Sequence, residues 1–291
     1  MANNKVFFNP FTDFGFKKLF GEEGSKDLLL DFLNQLLPET RQVSSLSFMN
    51  SEKIPDLIDD RKAIFDIHCI STTGERFIVE MQKAKIDYFR DRALFYATFP
   101  IKEQAQKGNW DFYLEPVYLI AIQDFLLEES SERTRDIKID VMLKDQHGDV
   151  FYDKLHFCFV QMPLFDKKEH ELETQFDKWL FFLKNLENFD HIPGVLNEPV
   201  FQKGFEIARL ANMKPKEVQE YNDNIKKYLD MMNIVETAKK DGGRQNAIKN
   251  AKEMIKDHLP IEQIMRYSGL TQQDVERLIE MEKLDEDAKK S

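Results

Sequence analysis

Residues 62–83 read KAIFDIHCI, STTGE and RFIVEMQK in succession. The first and third pieces are rich in β-branched and aromatic residues, which are typical of strands, and the middle piece has turn residues with a glycine. This pattern predicts a β-hairpin whose loop is closed at the glycine. We expect the other elements of the chain to assemble on these two strands.

Each predicted strand of the hairpin contains one carboxylate, Asp66 in the first apolar run and Glu80 in the second. Carboxylates are rarely buried within strands unless a partner compensates their charge, so a pair on adjacent strands indicates a shared cation. Because side chains alternate along a strand, Glu80 and Gln82 share a face, whereas Met81 and Lys83 face the other side. Two other interpretations are open: Asp66 caps a turn or pairs with a lysine, and Glu80 lies on a solvated face.

Three more segments accompany Asp66 and the Glu80-Met81-Gln82 motif. They are TDFGFKKLFG at 12–21, YFRDRALFY at 88–96, and a helical tail that contains YSGLT at 267–271. In this order the segments resemble the PD-(D/E)xK phosphodiesterases, and within that superfamily the family of recombination-promoting nucleases (Rpn) and transposases. The resemblance extends over essentially the whole chain.

This resemblance implies an α/β fold with a restriction-endonuclease-like core, in which helices flank a mixed sheet, followed by an all-α C-terminal extension. It implies a Mg²⁺-dependent DNA endonuclease in which Asp66 and Glu80 bind the metal, with Mn²⁺ or Ca²⁺ as substitutes in vitro. Gln82 stands where the superfamily usually has a lysine, and would orient the attacking water without adding positive charge. The alternative is a catalytically inactive nuclease fold that binds DNA or a partner protein.

Three further residues are implied as supporting members of the site. Asp13 matches an acidic residue that joins the metal site from the first helical region, and a helix N-cap is the alternative for it. Arg92 and Tyr96 are one turn apart on a helix predicted over 86–107, so both could approach the scissile phosphate. An arginine that braces the carboxylates is the structural alternative for Arg92. Pro55-Asp56 spells the letters of the superfamily name, but it lies in a predicted turn and is left out of the site.

The periodicity of apolar residues predicts the remaining elements. Helices are expected at 25–37, 169–188, 199–212, 215–240, 245–258, 261–267 and 271–281, and strands at 43–49, 117–122, 136–143 and 150–162. We place the nuclease-like core in residues 1–165, a helical extension packed on it in 166–241, and a small helical tail in 242–291. The last boundary is set at Asp241-Gly242-Gly243, because a glycine pair favours a hinge.

The last two predicted helices resemble a helix-turn-helix around Ser268-Gly269-Leu270-Thr271. The would-be recognition helix carries Asp274 and Glu276, which are unfavourable beside phosphate groups. A packing or protein-contact unit is therefore the favoured interpretation of this tail.

Composition narrows the class of protein. The formal net charge of −11 argues against binding nucleic acid over the whole surface, but it is compatible with a site built from carboxylates. The 25 phenylalanines indicate a packed aromatic interior, and Cys69 and Cys158 are expected as buried free thiols in a cytoplasmic protein. We find no signal peptide and no apolar run of membrane-spanning length. DNA is the expected partner, a membrane is not, and a homodimer is a possible assembly.

Overall fold

The computed structural model describes residues 5–49, 52–53, 63–64, 66–85, 87–127 and 136–290. The Pro55-Asp56 motif lies outside these residues. The chain forms two compact units, Met1–Lys227 and Tyr228–Ser291. A search of the described residues finds no helix that is both long enough and apolar enough to span a membrane.

A mixed β-sheet forms the centre of the first unit. In chain order the strands are β1 (Leu46–Phe48), β2 (Glu52–Lys53), β3 (Ala63–Ile64), β4 (Ile67–Ser71), β5 (Arg76–Gln82), β6 (Val117–Gln123), β7 (Lys138–Lys144) and β8 (Val150–Gln161). Within the described part, six of them form one sheet in the order β1-β4-β5-β6-β8-β7, and β2 pairs separately with β3. Strands β5, β6 and β8 are parallel, and the other neighbours are antiparallel. This arrangement confirms the predicted α/β core with a mixed sheet.

Strands β4 and β5 form the predicted hairpin at the centre of this sheet. The turn between them contains Gly74, whose φ of 101° is a left-handed conformation that suits glycine. Strand β6 is buried along its whole length, which confirms the central strand expected from the continuous apolar run.

The helices of the first unit bury their apolar stripes against the sheet and against one another. The first three in chain order are α1 (Asp13–Phe20), α2 (Lys26–Leu36) and α3 (Phe89–Lys102). Helix α3 connects β5 to β6, and its residues Phe89, Ala93 and Ala97 share a buried apolar cluster with Leu119 and Phe159 of the sheet. It is shorter than predicted, because Pro100 removes a backbone donor in its last turn.

Helices α4 (Gln175–Asn185) and α5 (Pro199–Ala208) pack on α1 and α2 through an aromatic cluster. The ring of Trp179 contacts Phe20, Phe32 and Phe201, and its Nε1 donates a hydrogen bond of 2.6 Å to Asp31. Gly204 allows this close packing, because a Cβ there would lie 2.8 Å from the Phe182 ring. The aromatic interior indicated by the composition is therefore present.

The prediction of a hinge at Asp241-Gly242-Gly243 is wrong. A single helix, α6 (Pro215–Lys256), runs through these residues and joins the two helices predicted at 215–240 and 245–258. Each glycine costs a helix about 1 kcal/mol relative to alanine, which weakens but does not end it where good helix formers flank the pair. The domain limits at 165 and 241 stay predictions.

The second unit also contains α7 (Ile261–Ser268) and α8 (Gln272–Lys290). A small apolar core is formed by Ala251, Ile264, Val275 and Leu278. Gly269 ends α7 in the left-handed conformation, and its N–H donates to the carbonyl of Met265. These helices occupy the places expected for the last two helices of the tail.

Candidate functional site

Asp66 and Glu80 lie next to each other where β4 meets β5. In the antiparallel register Ile67 pairs with Val79, so Asp66 and Glu80 are each one residue beyond that pair. Asp66 is in a bend immediately before β4, and not within the strand as predicted. The reason is its side chain: Oδ2 accepts a hydrogen bond of 2.8 Å from the backbone N–H of Met81. A carboxylate thus takes the place of a strand carbonyl at the end of the hairpin.

Glu80 and Gln82 share one face of β5, as strand alternation predicts. Glu80 is only 4% exposed, and its Oε2 accepts a hydrogen bond of 2.8 Å from Nε2 of Gln82. Nη2 of Arg92 lies 3.7 Å from the same oxygen. The other oxygen, Oε1, is buried and has no hydrogen-bond partner among the residues that the structure describes. Burying such an oxygen without a partner costs free energy, so a further ligand that contacts Oε1 of Glu80 would stabilise the site.

Burial and a nearby negative charge raise the pKa of both carboxyl groups. The pKa of Glu80 is raised to about 8, first by burial and then by the negative charge of Asp66, while Arg92 and the Gln82 hydrogen bond oppose the rise. Burial also raises the pKa of Asp66, against the stabilising hydrogen bond from Met81. Two neighbouring carboxyls that resist ionisation, even with cationic side chains nearby, are typical of a functional site.

The donor set fits a hard divalent cation held by few protein ligands. Asp66 and Glu80 offer carboxylate oxygens, which Mg²⁺ prefers, and the unpartnered Oε1 of Glu80 is a ready ligand atom. Within the described residues no group of three or more histidine, cysteine, aspartate or glutamate side chains is placed to hold a metal ion. A cation here would therefore keep several waters or substrate oxygens, as Mg²⁺ commonly does.

Asp13 is close to this pair, but it is not a helix cap. The N-cap of α1 is Thr12, whose Oγ1 accepts a hydrogen bond of 2.9 Å from Gly15, so the N-cap interpretation of Asp13 is wrong. The Asp13 side chain is 61% exposed and forms an ion pair of 2.6 Å with Lys83. Its negative charge contributes to the raised pKa of Asp66. Asp13 thus borders the site and is already paired with a cation.

The predicted orientation of Lys83, on the other face of the strand from Glu80 and Gln82, assumed that the strand continues through residue 83. Strand β5 ends at Gln82, so the alternation of side chains no longer applies one residue later. Its amine reaches Asp13, and its positive charge lowers the pKa of Asp66. The site therefore has a lysine at its edge that strand periodicity alone could not reveal.

Arg92 and Tyr96 share a face of α3, as predicted from their spacing. The guanidinium of Arg92 lies over the Tyr96 ring at 4.9 Å from its centroid, while its Nη2 faces Glu80. This geometry supports the interpretation of Arg92 as a brace for the carboxylates. Tyr96 holds the guanidinium from the other side.

A further feature escaped the sequence analysis. Gln82, Gln123 and Gln161 are direct neighbours across β5, β6 and β8, and all three are buried. We call them the glutamine row. Each glutamine ends its strand, in EMQ, AIQ and FVQ, and this repeated ending was the available indication.

Comparison with known protein families gives a match over most of the chain. The family model described as PD-(D/E)XK nuclease family transposase matches residues 10–238, which include every residue predicted for the site. This match confirms the predicted superfamily. No protein with a curated description and no solved structure matches the chain.

Proposed function

Because the chain belongs to the PD-(D/E)XK nuclease family of transposases, we propose that it is a metal-dependent endonuclease that hydrolyses phosphodiester bonds of DNA, of the recombination-promoting (Rpn) type. One observation carries the proposal: Glu80 is buried beside Asp66 with an oxygen that has no hydrogen-bond partner in the described structure. In this proposal Asp66 and Glu80 hold Mg²⁺, and Mn²⁺ is the first substitute to try.

When bound, Mg²⁺ would supply Lewis-acid chemistry, polarising the phosphodiester and lowering the pKa of a water. The residues of the chain hold the reacting groups in place. Gln82 donates its Nε2 hydrogen to Glu80, so its Oε1 is available to accept a hydrogen from the attacking water and orient it. Since the amide of Gln82 carries no charge, it orients the water without adding the positive charge that a lysine would bring.

Positive charge comes from residues around the carboxylates. Arg92 faces Glu80 from α3 with Tyr96 behind it, and in this proposal both approach the scissile phosphate. Lys83 lowers the pKa of Asp66, while Asp13 holds its amine at the edge of the site. We propose Asp13 as a supporting residue that keeps Lys83 in place. DNA is the proposed partner, in a cytoplasmic setting; a homodimer stays a prediction.

A catalytically inactive nuclease fold that binds DNA or protein is the second candidate. The observation that favours it is Gln82, which replaces the usual lysine and whose amide is engaged by Glu80. In that case the site binds a divalent cation without cleaving DNA.

The deciding experiment is nicking of supercoiled plasmid by the full chain in Mg²⁺, Mn²⁺ or Ca²⁺. We expect nicking with Mg²⁺ or Mn²⁺, and loss of it in Asp66→Asn. Asp223→Asn, an exposed carboxylate on α6, is the matched control and should cleave like wild type.

Calorimetric titration with Ca²⁺ separates the two candidates. Binding that depends on Asp66, without nicking in any metal, would establish the inactive fold. The absence of both binding and nicking would overturn the metal site itself.

A further inference from the structure

The glutamine row lies on the face of the sheet that α3 covers. Strand register places Gln82 beside Gln123 and Gln123 beside Gln161, and directly paired residues point to the same face. One pair earlier on that face, Glu80 lies beside Ala121 and Ala121 beside Phe159. The row therefore extends from the carboxylate site into the apolar cluster under α3.

The members of the row differ in their hydrogen bonds. Gln82 donates to Glu80. Gln161 accepts from the N–H of Leu127 at 2.9 Å and donates to the carbonyl of Asp136 at 2.9 Å, so its carboxamide fastens two backbone segments. Gln123, between them, is 0% exposed, and in the described structure neither Oε1 nor Nε2 has a hydrogen-bond partner.

An unpartnered buried carboxamide is unfavourable at a position where an apolar residue would fit. The same face of β6 carries Val117, Leu119 and Ala121, all of which are buried in the cluster under α3. A methionine or leucine at 123 would continue that pattern without burying two polar atoms unsatisfied. The carboxamide of Gln123 therefore indicates a polar partner in the functional site.

Of the two strand neighbours of Gln123, Gln82 is the candidate for that partner, because the carboxamide of Gln161 is hydrogen-bonded to two backbone groups. Neighbouring strands are about 4.8 Å apart, and the terminal torsion of a glutamine is soft, so a rotation brings the two carboxamides within hydrogen-bond distance. With Nε2 of Gln82 directed to Glu80, its Oε1 is the acceptor that a donor from β6 can reach. Glu80 Oε1 and Arg92 Nε also lack hydrogen-bond partners in the described part, so unsatisfied polar atoms gather around this site.

We propose that Gln123 is a positioning residue of the site, whose Nε2–H donates to Oε1 of Gln82 and holds that carboxamide against Glu80. The contact fixes which atoms of Gln82 face the metal site and which face the water. This inference rests on the proposed endonuclease for its kinetic consequence, but not for the contact between the two side chains.

Gln123→Met tests the kinetic consequence, because methionine has a similar shape and no carboxamide. We expect kcat for plasmid nicking to fall at least about 10-fold, the lower range for losing a group that aligns a catalytic residue. The dissociation constant for DNA should be unchanged, and the thermal midpoint equal or higher. Gln161→Met is the matched control from the same row: its midpoint should fall, since two backbone segments lose their anchor, and its kcat should not.

A second measurement is independent of cleavage. In protein labelled with ¹⁵N at glutamine, the side-chain amide resonance of Gln82 is assigned by its absence in Gln82→Met. We expect this resonance to shift and its hydrogens to exchange faster in Gln123→Met, but not in Gln161→Met. If wild type cleaves no DNA, the endonuclease proposal fails and this measurement still decides the role of Gln123. An unmoved Gln82 resonance, or a kcat within twofold of an active wild type, would overturn the inference.

Discussion

Two polar clusters lie on the same three parallel strands and differ in how completely their hydrogen bonds are made. On the face opposite the glutamine row, Phe77, Tyr118 and His156 form a ring stack, with centroids 5.1 Å and 4.7 Å apart. Arg41 closes this stack with hydrogen bonds to Tyr118 at 3.2 Å and to the Asp153 carbonyl at 2.7 Å.

The carboxylate site and Gln123 of the glutamine row show the opposite condition. Glu80 and Gln123 are as deeply buried as Phe77 and Tyr118 of the ring stack, yet each keeps a polar atom without a partner in the part of the chain that is described. A buried polar cluster that serves stability alone is expected to be fully hydrogen-bonded. The contrast favours a structural role for the ring stack and supports the proposed ligand-binding role of the carboxylate side.

The largest effect on cleavage is expected from a substitution in the carboxylate site that leaves the ring stack unchanged. Glu80→Gln keeps the shape and removes the charge that would hold a cation, so we expect plasmid nicking to fall at least about 10³-fold. Folding should not suffer, since a neutral amide is easier to bury than a carboxylate. Nicking assays with Mn²⁺ and thermal unfolding in EDTA measure the two properties. A variant that still nicks DNA would remove Glu80 from the site.

The next largest effect on cleavage is expected from substitutions of Gln82. Gln82→Ala should slow cleavage by about 10²-fold, the range for a positioned polar group, with little change in Mg²⁺ affinity, because a neutral amide is not a first-choice ligand of Mg²⁺. Gln82→Lys restores the usual superfamily residue on the same strand face. In a working nuclease that change should be tolerated or mildly impairing, and in a protein inactive for lack of the lysine it should create activity. Wild-type rates in Gln82→Ala would leave the carboxylates and the metal as the whole site.

The features predicted correctly are those that local pattern determines. The hairpin, the buried strand at Val117–Ile122 and the shared face of Glu80 and Gln82 follow from strand alternation and turn composition. The family match over residues 10–238 includes the segments at 12–21 and 88–96 and the hairpin carboxylates, but not the YSGLT segment at 267–271. Local pattern was therefore enough to predict that Asp66 and Glu80 lie side by side on the hairpin.

The features that were missed depend on where an element ends or on which strands are neighbours. Lys83 turns towards Asp13 because β5 stops one residue earlier. Gln123 comes beside Gln82 only through the parallel register of β5 and β6, which is set by a crossover and not by either segment. The expected hinge at Asp241-Gly242-Gly243 failed because glycine weakens a helix without being able to end one by itself.

The pH dependence of protein stability tests the carboxylate site without any DNA. The pKa of Glu80 is about 8 in the folded protein against an ordinary 4.5, so the folded state binds this proton more tightly than the unfolded state. Its contribution to stability is complete below pH 4.5 and is lost as the pH rises through about 8. In EDTA the free energy of unfolding should therefore fall across this window, by at most about 1.4 kcal/mol per pH unit from this group.

Urea denaturation at pH 5, 6, 7 and 8 gives the slope, and Glu80→Gln isolates the contribution of this carboxyl. The difference between the two proteins should shrink or reverse in favour of the variant as the pH rises. Asp223→Asn, exposed on the first unit, should follow wild type. Parallel curves for wild type and Glu80→Gln would show that Glu80 ionises normally and that its pKa is not raised in the folded protein.

The smallest effect is expected at the ring stack, where a substitution should change stability and leave cleavage unchanged. Arg41→Met removes the cation that closes the stack, and we expect the free energy of unfolding to fall by about 1 kcal/mol, since Asp153 is largely exposed and its ion pair is screened. The pKa of His156, which burial lowers and the charge of Arg41 lowers further, should rise, as imidazole NMR titration can measure. Cleavage should stay at the wild-type rate, and Lys227→Met, an exposed cation on α6, should alter neither property. If Arg41→Met slows nicking while the fold is intact, the ring stack contributes to catalysis, and complete hydrogen bonding is then no guide to which of these clusters is functional.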